Sequence, residues 1–596
     1  MITKMTKYTF LLLSRDTEAF LREIQELGVL DIQRSRKPVD ATSAQLFREA
    51  EAIRHEIETI EKCDFSRDER HSSLSAKLTA VQSAYAEKKH WGDLDPAKVR
   101  ALREAGCQLH FYTIPAKKFN PAWLEQYPIA EIERDEKIVR FVLIDRASEG
   151  ANNFQLPETH VAVESLSELA GHVESLKQAI FDRESEMEYR KQDIPTLERT
   201  YAEKAHTLQR YLAETNAEKA ADDYITVLTG FAPTSDDARL KAALDSQNIY
   251  YISEAAKASD NPPVQLKNNW FARNFETLTG MYGMPVYDEF DPTPILAPFF
   301  LLFWSFCMGD AGYGLILIAL GILLHRTNFN LLGLKKQWRL VTTLGVGTFI
   351  IGIFLGTFFG INLKEVNWIP EGLRNLMLVG KVEFNGTGYD IAMIAAIAIG
   401  VIHICLAMFI KALGITKRAG FRQALSTWGW VLLIVGGLIV AGLALTHVLN
   451  TLATKIAIIA IGVLSVLGIF IFNKPGRNPL LNIGAGLWDT YQVTTGLLGD
   501  VLSYIRLYAL GLAGGMLGGA FNDIAGMTLG SNPTWQWLVF IVIVLVGHAL
   551  NFAMSCLGAF VHPLRLTFVE YFKNSGYEGK GVDYKPLTNE IKIENK

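Results

Sequence analysis

The sequence predicts a mainly α-helical protein with small α/β lobes: a cytoplasmic antiparallel coiled-coil arm carrying two lobes, followed by an eight-span membrane domain ending in two long tilted helices. Three observations predict it. Residues 1–290 are rich in Glu, Lys, Arg and Asp, whereas 294–572 are dominated by Leu, Ile, Val, Gly, Phe and Ala. Two stretches of the first half repeat apolar residues every seven positions. The basic loops of the second half fall on alternate sides of its apolar runs.

In the first half, residues 7–13 read as a strand, followed by a helix ending at Gly28 and a second strand at Val29 to Ile32. Leu46, Ala50, Ile53, Ile57 and Ile60 are spaced 4, 3, 4, 3, the seam of a coiled coil, and Leu74, Leu78, Val81 and Tyr85 continue it. A longer seam joins Leu166, Val173, Ile180, Met187, Ile194, Tyr201 and Leu208, with Leu169, Leu176, Leu197 and Tyr211 on the partner positions. Pro195 should kink or restart that helix. Between the seams, 106–114 and 137–145 alternate like strands around a short helix near Pro121 to Gln126. After the second seam, 224–229, 235–246 and 249–252 read as strand, helix, strand. The expected arm is therefore residues 1–290, with coiled coil at 42–92 and 160–220. A far lobe is expected at about 100–150, and a membrane-proximal lobe from 1–36 with 222–256. The bland reading of the heptads is a helical hairpin packing on itself. The functional one is an elongated arm that docks other proteins, and the two are compatible.

The membrane domain is expected over 291–596, with apolar runs at 294–325, 340–361, 391–413, 428–447, 454–472, 483–527 and 535–572. A span needs ~20 residues. As one helix the first run would rise about 48 Å, and Gly309-Asp310-Ala311-Gly312 interrupts it. Basic residues mark alternate loops: Arg326, Lys335, Lys336 and Arg339; Lys411, Lys417, Arg418 and Arg422; Lys474 and Arg477; and Lys573. The positive-inside rule puts these in the cytoplasm. Only Tyr8 to Leu13 is apolar near the start, too short for a secretory signal, so the first half is also expected in the cytoplasm. The first run must then cross an even number of times, as a hairpin. That gives eight spans of a multi-pass cell-membrane protein with both termini inside.

Other classes are disfavoured. A net charge of −4 suggests no nucleic acid. Five scattered cysteines without a C-x-x-C pair argue against a metal site or disulfide framework. No Walker A motif occurs, so no nucleotide hydrolysis, catalytic residue or cofactor is expected of this chain.

Chemistry concentrates in the last two runs. The first holds Asp489, Gln492, Asp500, Ser503 and Arg506, and the second His548, Asn551, Ser555, His562 and Arg565. Arg506 lies among Val501, Leu502, Ile505, Leu507, Leu510 and Leu512. An ionisable group at such depth is costly and marks function by default, although snorkelling or ion pairing is the structural alternative. Its helical face includes Gly499, Ser503, Leu510, Ala513, Leu517 and Ala520. Beyond it run Gly511, Gly514, Gly515, Gly518 and Gly519, a smooth surface for another helix. His403, alone in an apolar helix, reads as a packed histidine. For His548, Asn551 and Ser555 the bland reading is interhelical hydrogen bonding.

At this point a resemblance emerges. Leu502-Ser503-Tyr504-Ile505-Arg506-Leu507-Tyr508-Ala509-Leu510, and His562-Pro563-Leu564-Arg565-Leu566 followed by Val569-Glu570, resemble segments of the a/I subunit of V-type and archaeal-type rotary ATPases, in its bacterial form. Gly309 to Gly314, Met281 to Pro285, Asp291 to Thr293 and Pro262-Pro263 with Leu266 to Asn268 add to it. The resemblance implies a stator subunit facing a rotating ring of small carboxylate-bearing subunits. Two offset half-channels would carry H⁺ or Na⁺, coupled to ATP hydrolysis or synthesis elsewhere in the complex. It makes Arg506 the essential cation and Arg565 its helper. Asp489, Gln492, Asp500, Ser503, His548, Asn551, Ser555 and His562 become half-channel candidates. The arm would bind the peripheral stalks, and the base of the central stalk is a further partner. Ser555 stands where some members carry an acid. Asp489 and Asp500, eleven residues apart, would line one path. The alternative is a secondary ion-coupled transporter with a cytoplasmic regulatory domain, which should show internal repeats. None is visible. A membrane-anchored scaffold would have no need of Arg506.

Overall fold

The computed structural model describes residues 1–35, 37–62, 69–92, 95–135, 137–146, 156–159, 165–247, 249–326, 337–367, 369–384, 387–446, 450–472, 479–529 and 533–589. Cys63, Lys335, Lys336, Lys474, Arg477 and the expected arm residues 63–68, 147–150 and 160–164 lie outside them. In chain order the soluble elements are β1 (Met5–Leu13), α1 (Thr17–Leu27), β2 (Asp31–Ile32), α2 (Ala41–Lys62), α3 (Glu69–Lys89), α4 (Pro96–Glu104), β3 (Cys107–Pro115), β4 (Ile129–Arg134), β5 (Ile138–Arg146), α5 (Leu166–Arg190), α6 (Ile194–Thr215), β6 (Glu218–Ala220), β7 (Ile225–Pro233), α7 (Asp237–Ser246) and β8 (Tyr250–Ala255). Two compact units form: Met1–Arg34 with Ala213–Thr588, and Ser35–Leu212.

The second unit is built on long helices. Asp40 starts α2 by accepting from the Ser43 amide at 2.7 Å. Hydrogen bonds from Ser43 and Tyr211 hold its carboxyl below the usual range. Cross-helix pairs run in opposite senses: His71 with Glu184, Glu56 with Arg190 (2.5 Å), Glu49 with Lys204 (2.7 Å) and Asp40 with Tyr211 (2.6 Å). The N-terminal helices therefore pair antiparallel with α5 and α6. Exposed ion pairs contribute little, so the apolar seam must hold the pairing. Ala50, Ile57 and Ile60 are buried on α2, and Leu169, Ala205 and Leu212 on α5 and α6. Pro195 acts as expected. A 3₁₀ turn at Lys191–Asp193 ends α5, and α6 restarts with Pro195 as its second residue, where the missing N–H matters little.

Within this unit β3, β5 and β4 form an antiparallel sheet with β5 central. One face buries Tyr112, Ile114, Val139, Phe141 and Leu143. The sequence reading misses β4. Its residues are half-exposed or exposed throughout, and a register shift lies between Glu131 and Glu133, so it shows no clean alternation.

In the first unit, β1 and β7 pair antiparallel from Met5–Pro233 to Leu13–Ile225, in a sheet ordered β2-β7-β1-β8. The two strand–helix–strand units interleave, with Tyr8, Phe10, Phe20, Leu21, Ile24, Leu228, Leu240 and Leu244 buried between sheet and helices. Gly28, at φ +66°, ends α1 in the left-handed conformation. The chain's last described stretch completes this lobe. The Val264 amide donates to Val582 O at 2.7 Å, the Tyr584 hydroxyl donates to Val29 O, and Arg34 reaches Lys585 O at 2.9 Å. Leu587 is fully buried in the lobe's core. Leu587→Ala is expected to cost about 3 kcal/mol, as core leucine truncations do. Faster amide exchange across 582–588 and β2 would report it, and unchanged exchange would contradict it.

The apolar half contains α8 (Thr293–Met308), α9 (Ala311–Arg326), α10 (Trp338–Leu355), α11 (Ile391–Ala419), α12 (Phe421–Val431), α13 (Thr451–Val466), α14 (Pro479–Ser503), α15 (Ile505–Met527) and α16 (Pro533–Arg565). Six helical stretches among the described residues are long and apolar enough to cross a membrane: 338–355, 391–419, 421–444, 451–471, 482–527 and 535–575. The first run is divided as its Gly-Asp segment suggested. Gly309, at φ +61°, separates α8 and α9, each 16 residues long. Each rises only about 24 Å. Both pack on α10. Gly314 and Gly321 of α9 face Gly345 and Thr342 of α10, which brings the two backbones close. The two longest runs break locally. Tyr504 interrupts the helix between α14 and α15, and α16 passes into a π-turn at Leu566–Tyr571. Two further π-turns, Leu432–Gly436 and Leu467–Ile471, extend α12 and α13.

Candidate functional site

Arg506 is the second residue of α15, immediately after the break at Tyr504. That break is fixed by aromatic packing. The Tyr504 ring is fully buried, its hydroxyl lies 2.9 Å from His403 Nδ1, and the His403 ring stacks on Phe299 at 4.3 Å and Tyr571 at 4.5 Å. His403 is thus a packed histidine, as expected, but it has a partner that the sequence did not reveal. Arg506 Nη1 is buried with no hydrogen-bond partner among the described residues. A donor left so in an apolar setting is costly and uncommon. Cys307 of α8 and His562 of α16 lie within the field of this guanidinium. Arg565 is exposed at the end of α16, and its charge also reaches His562. The structure therefore brings Arg506, His562 and Arg565 into one neighbourhood.

A second group lies below the break. Asp500 is buried and accepts from Asn574 Nδ2 at 2.8 Å, with Lys573 Nζ at 3.6 Å. Ser503 donates to Gly499 O at 2.9 Å and also faces Glu570. Glu570 is buried with Oε2 unpartnered among the described residues, and Arg565 and Asp500 both act on it. The sequence reading quotes Glu570 within a motif but does not select it. Its signal was an acid within the apolar run 535–572. Asp489 is half-exposed and Gln492 exposed, further back on α14.

A third group lies beyond Arg506. His548 and Asn551 of α16 meet Tyr313 of α9. The Tyr313 hydroxyl is 2.9 Å from His548 Nδ1 and accepts from Asn551 Nδ2 at 2.8 Å. His548 Nε2 is 3.0 Å from Asn522 Oδ1, and Ser555 donates to Asn551 Oδ1 at 3.4 Å. Tyr313 and Asn522 were not singled out in the sequence, because nothing local marks residues whose partners lie far along the chain. Neighbouring Asp310 is buried and accepts from four amides: Gly312 at 2.8 Å, Tyr313 at 3.3 Å, Phe359 at 2.8 Å and Gly360 at 2.7 Å. It pins the turn at 357–362 against α9.

The glycines of α15 differ from the expectation. Gly511 packs on Phe306 and Gly309, Gly514 on Ser555, and Gly518 and Gly519 on Gly360. They serve close approach within this chain. The outward surface near Arg506 is instead Ala509, Leu512, Ala513, Met516, Leu517 and Ala520, all exposed. Beside the glycine stretch lies a cavity of about 330 Å³, lined in part by Thr357, Asn362, Tyr508, Gly511 and Gly515. The Tyr508 hydroxyl at its edge donates to Asp390.

Comparisons with known proteins agree with this layout. The model of the V-type ATPase 116kDa subunit family matches residues 137–361, a range that includes the Asp310 turn. The A-type ATP synthase subunit I of Methanocaldococcus jannaschii is 32% identical over 60% of this chain and 54% of its own length. The V-type ATP synthase subunit I of Chlamydia trachomatis is 24% identical over 97% of this chain and 93% of its own length, and the V-type ATP synthase subunit I 1 of Treponema pallidum is 25% identical over 98% and 100%. The chain spans about half the length of the archaeal relatives it matches. The chain is thus similar, over part of its length, to the V-type ATPase 116kDa subunit family and, from end to end, to bacterial V-type ATP synthase subunits I.

Proposed function

We propose that this chain is a non-catalytic stator subunit of the membrane sector of a V/A-type rotary ATPase, forming two half-channels for H⁺ or Na⁺ against a rotating ring of carboxylate-bearing subunits. The observation that carries the reading is Arg506, an arginine in an apolar helix pair with a buried Nη1 that has no partner among the described residues. A guanidinium stays protonated at any relevant pH. A ring carboxylate passing it is favoured in its ionised form and gives up its ion. The same fixed charge blocks direct leakage between half-channels. The exposed small side chains of Ala509, Ala513 and Ala520 supply the face along which a ring helix passes.

Asp489, Gln492, Asp500 and Ser503, joined by Glu570, then line the cytoplasmic half-channel. His548, Asn551 and Ser555, with the 330 Å³ cavity, belong to the outer one. His562 and Arg565 flank the crossing point. In this reading α8 and α9 are a hairpin. Together with the six longer stretches they make eight spans, with both termini cytoplasmic. The antiparallel helices of the soluble half are a coiled-coil arm that docks the peripheral stalks and meets the base of the central stalk.

Isolation of the tagged chain from its native membrane tests this. A small membrane subunit with a buried carboxylate, together with stalk subunits, is expected to come with it. A chain that isolates alone and still carries ion flux would contradict the proposal and favour a secondary transporter.

A further inference from the structure

We propose that Tyr313 is a positioning residue of the outer half-channel, and that it and Asn522 hold His548 there as a neutral Nε2–H imidazole, a hydrogen-bonding element that carries no proton of its own. The inference rests on the stator reading above. Its grounds are the donors and acceptors of one buried circuit.

Two backbone carbonyls fix the circuit at its ends. Asn522 Nδ2 lies 2.7 Å from Phe359 O, and Asn551 Nδ2 lies 2.8 Å from Gly514 O. A carbonyl oxygen only accepts, so each of these atoms is the amide nitrogen and both side-chain orientations are settled. Asn522 therefore turns its Oδ1 to His548 Nε2 at 3.0 Å. That oxygen also only accepts, so Nε2 carries a hydrogen. The second hydrogen of Asn551 Nδ2 goes to the Tyr313 oxygen at 2.8 Å. The Tyr313 hydroxyl then has His548 Nδ1, 2.9 Å away, to receive its own hydrogen. In this arrangement each donor named has an acceptor, and His548 is neutral with Nδ1 accepting. Were Nδ1 protonated, the phenol would receive two donors and its own hydrogen would face no acceptor in the circuit. Such a loss weighs heavily in a buried, low-dielectric network.

The surroundings oppose rearrangement. Phe359 and Phe552 close on the Tyr313 ring at 5.8 and 5.6 Å, and Phe359 also meets His548 at 5.6 Å. Asp310, the charged group that acts on His548, has its carboxylate engaged by four amides. The same carboxylate fixes the start of α9 and so the placement of Tyr313. The circuit continues to the Ser555 hydroxyl, which lies beside Gly514 of α15 and donates to Asn551 Oδ1. An amide passes protons poorly, so Asn551 ends any relay from His548 toward Ser555.

The test compares variants in the assembled complex in sealed vesicles, with ATP-driven uptake read by a pH-sensitive dye and by labelled sodium. Tyr313→Phe removes one hydroxyl and is expected to lower uptake about tenfold. His548→Gln can accept from Tyr313 and donate to Asn522, and is expected to keep at least half of wild-type uptake. His548→Ala should fall as Tyr313→Phe does. An inactive His548→Gln, or an unimpaired Tyr313→Phe, overturns the inference. Normal uptake with Arg506→Ala overturns instead the stator reading on which it rests. If Tyr313→Phe does not assemble, ¹⁵N spectra of histidine-labelled wild-type complex decide. The signal lost in His548→Gln should be that of a neutral Nε2–H ring, and a charged or Nδ1–H ring overturns the inference.

Discussion

Arg506→Ala is expected to reduce ATP-driven ion transport by at least a hundredfold while leaving the thermal unfolding of the assembled complex within a degree or two of wild type, a margin of about 0.5 kcal/mol or less. The two halves of this expectation come from one feature. Truncating one member of a buried ion pair leaves the other charge stranded and typically costs about 3–5 kcal/mol. Arg506 Nη1 has no partner among the described residues, so its removal strands nothing there and relieves a desolvated donor. A structural arginine would show the opposite pattern, lower stability with transport in proportion to surviving complex. Arg506→Lys should be intermediate, because it keeps a charge but loses the planar, permanently protonated fork.

Asp310→Asn is expected to destabilise the membrane domain by about 3–5 kcal/mol, since hydrogen bonds to a charged group are each worth about 1.5–3 kcal/mol and unmet buried donors add to the loss. The carboxylate accepts from four amides of two segments. Asparagine keeps one accepting oxygen and points an NH₂ at amides that can only donate. Two of those amides belong to Phe359 and Gly360, which hold φ of +47° and +71°. A left-handed phenylalanine is strained and persists because the carboxylate holds its amide. With that hold gone, the turn should leave Gly518 and Gly519 and open the cavity beside α15. A thermal midpoint several degrees lower, with faster amide exchange at 357–362, is expected. An unchanged midpoint would show that the turn is held by something else.

The sequence made local features legible and left distant pairings hidden. Gly28 and Gly309 could be read as breaks because only the chain near them decides a left-handed cap. Pro195 could be read as a restart for the same reason. The heptads showed which faces of α2, α5 and α6 turn inward. Arg506 stood out because charge is rare in apolar runs. By contrast, Tyr313 and His548 are 235 residues apart, and no local pattern marks them as partners. The glycines of α15 signalled close approach correctly, but not by what. Their neighbours are Gly309 and Gly360 of the same chain, so the outward face is built of alanines and larger apolar residues instead. Asp500 was read as sharing a path with Asp489. Its partners Lys573 and Asn574 lie just beyond the π-turn that follows α16, a segment that only the fold brings back beside α14. Glu570 was legible only as an acid in the segment after Arg565; that its carboxylate is buried beside Ser503 and Asp500 is a product of the fold.

The central claim is that Arg506 is the fixed charge of a rotary ion path. The most direct test is ATP-driven ion uptake by sealed vesicles carrying the complex, wild type against Arg506→Ala, normalised to assembled complex. A signal at background for Arg506→Ala, with its subunit content intact, is the result predicted. Uptake at the wild-type rate would contradict it.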